Sequence, residues 1–380
     1  MNRERFPGLA DGGWARLDGP AGTQMVDSAI EAMDAWMRSG RGANHGGAFE
    51  AAHQTDELIE SARASAGALI GAPPGEIVFG SSFTTLTMAF AGAVGRTLEP
   101  GDEVVVTRLD HDANVRPWVI HTERNGGTIR FAEPEPETLE LPASAVEAVL
   151  SEKTRWVAVT HASNAVGTVP DLRGIVDAAH AAGARVYIDA VHAAPHRQID
   201  VAALGCDALA CSAYKWFGPH IGVLWARHEL LAELQPDKLL PSPDTVPDRW
   251  ENGTPAFESL AGVAAAADYT RTMDWDAVRA HEQHLLAGAL EGLDALPKVT
   301  VHGRARDRTS TLMFTVDGLT SEEAATKLAE HRVAVWHGNY YAHELEELLG
   351  LAPHGAVRAG FVHYNDERDL ERLLDAVESL

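Results

Sequence analysis

Cysteine is nearly missing from this chain: Cys206 and Cys211 are the only two among 380 residues. They fall five apart on one apolar stretch. That argues against a disulfide framework or a cysteine metal site and predicts buried free thiols. Apolar runs of about 18 residues do not occur, so no membrane span is expected. The opening Met1-Asn-Arg-Glu-Arg-Phe-Pro lacks the apolar stretch of a secretory signal, and a cytoplasmic location is expected. Basic charge is also scarce, with 31 Lys and Arg against 55 Asp and Glu, a net charge of −24. Such a surface repels nucleic acid and anionic lipid, which removes both as expected partners.

What remains is the composition of a soluble α/β enzyme: 45% hydrophobic, with 34 glycines and 19 prolines, and long enough for two domains. Short β-type runs alternate with amphipathic segments between about residues 75 and 230. The predicted strands are Glu76–Phe79, Glu103–Thr107, Thr128–Phe131, Trp156–Thr160, Arg185–Ile188, Ala208–Cys211 and Ile221–Trp225. A helix over Leu172–Ala182, stopped by Gly183, typifies the segments between them. This alternation predicts a mostly parallel seven-stranded sheet with helices on both faces and ligands outside the carboxyl ends of its strands. The proline-rich stretch from Leu239 to Asp248 reads as a linker or ordered loop. After it, helices over Phe257–Met273 and Asp276–Leu293 and a strand–helix alternation to Leu380 predict a smaller α+β domain. The expected division is 15–245 for the large domain, and 246–380 with residues 1–14 for the small one.

The chemistry-bearing segment is Asp207-Ala-Leu-Ala-Cys-Ser212-Ala-Tyr214-Lys215-Trp-Phe-Gly218-Pro219-His220. An apolar strand delivers a lysine and then breaks at Gly-Pro. Just upstream, Val186-Tyr-Ile-Asp189-Ala-Val-His192 ends another strand in a carboxylate. A lysine and an aspartate on strand ends are what pyridoxal phosphate needs. The amine forms a Schiff base, and the carboxylate keeps the pyridine nitrogen protonated. Together with Ile199-Asp200-Val, Gly205-Cys-Asp207 and Gly222-Val-Leu-Trp, this segment resembles the core of the class V aminotransferase and cysteine desulfurase family. The likeness extends from about Leu17 to Asn365. It implies fold type I of the pyridoxal-phosphate enzymes, an α-amino-acid substrate and a homodimer with shared active sites.

The same resemblance implies a role for each of several residues. In Gly80-Ser-Ser82-Phe83-Thr84-Thr, which follows a strand and opens a helix, Ser82, Phe83 and Thr84 match a phosphate seat, with the backbone of Phe83 serving where relatives carry threonine. In Leu109-Asp-His111-Asp-Ala-Asn114-Val-Arg-Pro117-Trp118, His111 matches the residue stacked on the cofactor ring, with a near-neutral pKa suited to moving protons. Asn164, in His161-Ala-Ser163-Asn164-Ala-Val-Gly167, matches the partner of the phenolic oxygen, and His192 stands where many relatives carry glutamine. Ser212 matches a phosphate contact. Tyr214 replaces a histidine, and its hydroxyl is placed to take over that contact. Thr254, in Trp250-Glu-Asn252-Gly-Thr254-Pro255, matches a threonine that reaches the partner subunit's phosphate. Arg358 matches the arginine that grips the substrate carboxylate, for which a planar two-pronged donor is suited. Asn44, His45 and Ala21-Gly22 match segments lining the pocket mouth.

The chain departs from the desulfurases at Val335-Trp336-His337-Gly-Asn-Tyr340-Tyr341-Ala-His343. There Tyr341 falls nearest the position of their sulfur-accepting cysteine. Tyrosine forms no persulfide, and Cys206 and Cys211 lie upstream on a predicted buried strand. A carbon–sulfur β-elimination lyase, with Lys215, His111 and Asp189 as catalytic groups, is therefore the first expectation. Class V transamination or epimerisation of a small or tailored amino acid is the second. A catalytically silent pyridoxal-phosphate-binding protein is a third of another kind, although Lys215, Asp189, His111, Asn164 and Arg358 all being present speaks against it. No metal is expected.

Overall fold

The computed structural model describes residues 2–10, 12–41 and 44–380. Its central sheet contains β1 Ile77–Gly80, β2 Glu103–Thr107, β3 Thr128–Ala132, β4 Thr154–Thr160, β5 Arg185–Asp189, β6 Ala208–Ser212 and β7 Gly222–Ala226. The spatial order is β1-β7-β6-β5-β4-β2-β3. Only β7 runs against its neighbours; the other pairs are parallel. The mostly parallel seven-stranded reading therefore holds, with strand ends within two residues of those expected.

Side chains alternate between the faces of a strand, and here they divide between two cores. Val157, Val159, Val186, Ile188 and Leu209 join one. Trp156, Ala158, Tyr187, Ala208 and Ala210 join the other. β2, β6 and β7 are buried at every position, as a sheet covered on both faces requires. The parallel strands all point their carboxyl ends to one rim, and the turns beyond β2, β4, β5 and β6 meet there.

A second, antiparallel sheet is built from β8 Val299–His302, β9 Thr311–Val316, β10 Trp336–Gly338 and β11 Ala356–Gly360, in the order β10-β11-β9-β8. The helices Trp275–Asp294, Ser321–Glu330 and Glu367–Glu378 cover it through Leu285, Leu286, Leu328, Leu373 and Val377. Two of these helices open with side-chain capping boxes, Thr320 with Glu323 and Asp366 with Asp369.

The packing does not follow the division expected at 245/246. Helix Phe257–Arg271 lies against helices Asp27–Arg38 and Glu50–Ile70, and Phe257, Leu260, Val263 and Ala266 join the core of the large sheet. At the other end of the chain, Ala15–Arg16 pairs in parallel with Val333–Ala334, and Leu17 enters the core of the small sheet. Phe6 and Leu9, expected with the small domain, join the larger core instead. The reason is physical: a helix belongs to whichever body its apolar face covers, and turn residues in the sequence do not reveal that choice.

One buried cation fastens this large body. Arg63 is 2% exposed and donates through Nη1 to the Ile77 carbonyl at 2.6 Å and to Glu251 Oε1 at 2.8 Å. Its Nη2 reaches Glu251 Oε2 at 3.0 Å and Asp248 at 3.2 Å, and Glu251 also accepts from the Phe79 amide at 2.6 Å. The two-pronged pairing holds the 248–255 loop onto β1. Arg63→Met strands the Glu251 carboxylate and is expected to cost about 3–5 kcal/mol in urea unfolding. Arg63→Met with Glu251→Gln should recover much of that. A single-variant loss within the surface-pair range of about 0–1 kcal/mol would rule the fastening out.

Candidate active site

A cavity opens over the rim where β2, β4, β5 and β6 end, the place where open α/β sheets bind ligands. Lys215, Asp189, His111, Asn164, His192, Ser82, Phe83, Thr84, Ser212, Tyr214, Arg358 and Tyr341 all line it, as does Ala21. Asn44, His45 and Thr254 do not. Asn44 and His45 are exposed; His45 lies 3.8 Å from Asp56 with its ring against Phe257. Thr254 is exposed in a separate depression beside Gly80, Ser81 and Leu260.

Lys215 ends a single 3-10 turn directly after β6 and is 5% exposed. Its Nζ donates to the carbonyl of Pro20, a partner that no sequence motif marked. Burial, and then the Arg358 guanidinium, push its pKa down to about 7, with Asp189 partly opposing them. Near neutral pH a large fraction of this amine is therefore unprotonated and nucleophilic. Asp189, at the end of β5, is pushed up to about 7 by burial, while the Val191 amide at 2.8 Å and the lysine pull it back.

His111 departs from the near-neutral titration expected of it. Desolvation, reinforced by Lys215 and Arg358, pushes it down to about 3. Its Nδ1 accepts from the Ala113 amide at 3.0 Å, which leaves the proton on Nε2 in a neutral ring. A neutral ring suits stacking, but at neutral pH it does not exchange protons as readily as a free histidine. The turn carrying it is anchored by Asp110, fully buried between the Thr107 hydroxyl and Asn114 Nδ2 at 2.7 Å. Trp118 Nε1 in turn donates to Asn114 Oδ1 at 3.3 Å, so Asn114 and Trp118 fix the turn that carries the histidine.

The small sheet supplies the opposite wall. Arg358, on β11, is 4% exposed, donates to the Asn164 carbonyl at 2.9 Å and lies 4.5 Å over the Tyr340 ring. Tyr340 and Tyr341 both have left-handed backbones, φ 50° and 60°, at about 1–2 kcal/mol each for non-glycine residues. Hydrogen bonds hold them there. Asn164 Nδ2 donates to the Tyr340 carbonyl at 2.9 Å, Asn339 Oδ1 accepts from the Tyr341 amide at 3.0 Å, and the Asp112 amide donates to the Tyr341 carbonyl at 2.6 Å. The Tyr341 ring stacks on His111, with centroids 5.3 Å apart.

These residues fit pyridoxal phosphate. An aldehyde needs an unprotonated amine, and Lys215 supplies one. Asp189 is a carboxylate in want of a cation, which a protonated pyridine nitrogen provides. Asn164 Oδ1 and His192 Nδ1 are buried without partners on residues that line the cavity. Ser82 caps helix Phe83–Gly95 by accepting from the Thr85 amide. The first-turn amides beyond it are the donors that a phosphate seeks. Phe83 buries its ring in the core, so its backbone is what it offers, as the sequence implies. Among the described residues no cluster suits a metal ion.

Burial pushes the Asp110 carboxyl up to about 8, from an ordinary 3.8. Between about pH 4 and 8 the folded chain keeps a proton that the unfolded chain has lost. The contribution of Asp110 to stability is thus full below about pH 4 and is lost as pH rises towards 8. Asp110→Asn removes this titration, so the melting temperature of the variant relative to the parent should climb steadily from pH 4 to 8. Parallel melting curves across that window would contradict the assignment.

Comparison with known proteins agrees with this geometry. The model of the family described as aminotransferase class-V matches residues 15–373. An aminotransferase-like protein of Gibberella zeae is 33% identical over 346 residues, covering 88% of this chain and 85% of its own. A probable cysteine desulfurase of Xylella fastidiosa is 32% identical over 341 residues, covering 85% of this chain and 80% of its own. The apo structure of a cysteine desulfurase from Thermococcus onnurineus superimposes with a TM-score of 0.92 at 28% identity, covering 99% of this chain and 96% of that one. Since the matched segment takes in both sheets and every wall of the cavity, the chain belongs to the class V aminotransferase family of pyridoxal-phosphate enzymes.

Proposed function

We propose that this enzyme cleaves a carbon–sulfur bond of an α-amino acid by β-elimination, without a persulfide-forming cysteine. The supporting observation is the absence of any thiol from the walls of the cavity. Cys206 and Cys211 are buried free thiols, each pushed up to about 12 by desolvation, and the loop expected to carry a sulfur acceptor offers Tyr341.

Pyridoxal phosphate, when bound, supplies the electron sink that weakens the bonds of the substrate α-carbon. The chain's own groups do the rest. Lys215 would hold the cofactor through its amine and would serve as the base for the α-proton. Arg358 takes the α-carboxylate and so fixes which bond at the α-carbon stands ready to break. Asp189 would pair with the pyridine nitrogen, and His111 would cover the ring. Asn164 and His192 would flank the phenolic oxygen, with His192 Nδ1 free to donate to it. Ser82, Thr84, Ser212, Tyr214 and the Phe83 backbone take the phosphate. With Lys215 accepting the α-proton, elimination would expel a thiolate from the β-carbon, and water would complete the products, a keto acid and ammonia. The position of Thr254 outside its own cavity supports a homodimer in which it serves the partner's site.

Transamination is the second reading, favoured by the aminotransferase-like relative. Racemisation through Tyr340 has less support, because that hydroxyl is already bonded to the Ala356 carbonyl.

Incubating the purified protein with L-cysteine, L-cystine and a panel of amino acids, while measuring keto acid, ammonia and sulfide, tests the proposal. Keto acid, ammonia and a thiol product without an amino acceptor are expected, and Lys215→Ala should abolish them. Formation of keto acid only with an acceptor would establish transamination, and alanine with sulfane sulfur would restore a persulfide route. Arg358→Lys is expected to raise KM roughly 10- to 100-fold, the worth of a charged hydrogen bond, with a smaller change in kcat. Unchanged KM would remove Arg358 from substrate binding.

A further inference from the structure

Among the described residues three large aromatic side chains stay exposed, Phe49, Trp336 and Tyr341, and the last two line the active-site cavity. Trp336 is 48% exposed and Tyr341 68%. Neither is loosely placed. Trp336 is the direct cross-strand partner of Arg358 between β10 and β11, which puts the two side chains next to each other on one face of the sheet. Tyr341 keeps its left-handed backbone under hydrogen bonds from both sides and lays its ring on His111. A strained residue held this firmly, with an apolar ring left in water, marks a site waiting for a ligand.

Charge narrows what that ligand is. Asp189 is the one carboxylate among the residues lining the cavity, and it faces two cations, Lys215 and Arg358. No other carboxylate lines the cavity, and its apolar lining includes Pro20, Ala21 and Ala113. With no carboxylate lining the cavity but Asp189, a cationic distal group would find no counter-charge, and a small side chain such as that of cysteine would leave both rings wet. We infer that Trp336 and Tyr341 form a distal subsite that takes a neutral planar group, aromatic or heteroaromatic, at the far end of the substrate. The substrate class is then an amino acid carrying such a ring beyond its β-carbon, for a lyase an S-linked aromatic conjugate of cysteine. This inference rests on the reading of the cavity as an α-amino-acid site anchored by Arg358.

The test uses the holoenzyme and acids that lack an amine, so that nothing reacts. Isothermal titration calorimetry compares propionate, 3-cyclohexylpropionate, 3-phenylpropionate and 3-(trimethylammonio)propionate. The phenyl acid should bind roughly fivefold more tightly than the cyclohexyl acid, the order expected of ring stacking beyond burial. That ratio should fall towards one in both Trp336→Ala and Tyr341→Gly, the glycine being at ease with the backbone at 341. Equal affinity for phenyl and cyclohexyl acids in the parent overturns the subsite without recourse to any variant, as does a ratio unchanged in both variants. Preference for the trimethylammonio acid overturns its neutrality. Failure of every acid to bind, propionate included, removes the carboxylate anchor and the amino-acid reading with it, which separates that failure from loss of the aromatic preference alone.

Discussion

Two cations, Lys215 and Arg358, share the walls of one cavity with a single carboxylate, Asp189. Burial lowers the affinity of the Lys215 amine for its proton, and Arg358 lowers it further. Much of the architecture follows from tolerating that arrangement. The lysine leans on a backbone carbonyl from the N-terminal segment, and the arginine leans on a carbonyl beyond β4 and on an aromatic face. Charges left this poorly compensated are costly to a fold, and in the proposed reading Asp189 would be matched by a pyridinium and Arg358 by a carboxylate.

The large sheet was legible in the sequence because its strands obey a strong local rule. A strand buried on both faces must be apolar along its middle, as β2 is over Val104–Val106 and β6 over Ala208–Cys211. The residues at the rim were legible for the same reason, since the parallel strands fix where their turns gather. What the sequence hid depends on contacts distant in the chain. The attachment of helix Phe257–Arg271 to the large body is decided by two helices some two hundred residues earlier. Pro20 as the partner of Lys215 arises from a separation of 195 residues. The displaced titration of His111 comes first from burial and then from cations on two other segments, so its free-residue value was no guide. Asn44, His45 and Thr254 matched family segments, yet one chain alone does not bring them to its own cavity.

The two sheets are joined by more than apolar contact. His192 bonds Thr311 at 2.9 Å, and His196, one turn further on, pairs with Glu282 at 2.7 Å, both nearly sealed from water. Ser310 adds a hydrogen bond to the same carboxylate at 3.1 Å. These ties join the turn after β5 to β9 and to helix Trp275–Asp294. Arg358, Tyr340 and Tyr341 thus face the cofactor wall from a body that is anchored beside it. In the proposed reading the large sheet would supply groups for the cofactor, and the small sheet groups for what the substrate carries.

The two cysteines carry a practical consequence. Both are buried in the apolar core, with thiols that resist ionisation, and the thiolate is the reactive form. Maleimides and spin labels therefore find no native target on the folded surface. A cysteine introduced by mutagenesis at any exposed position becomes the sole addressable handle, and a pair of them, one on each sheet's body, turns the molecule into its own ruler for distance changes between the two halves.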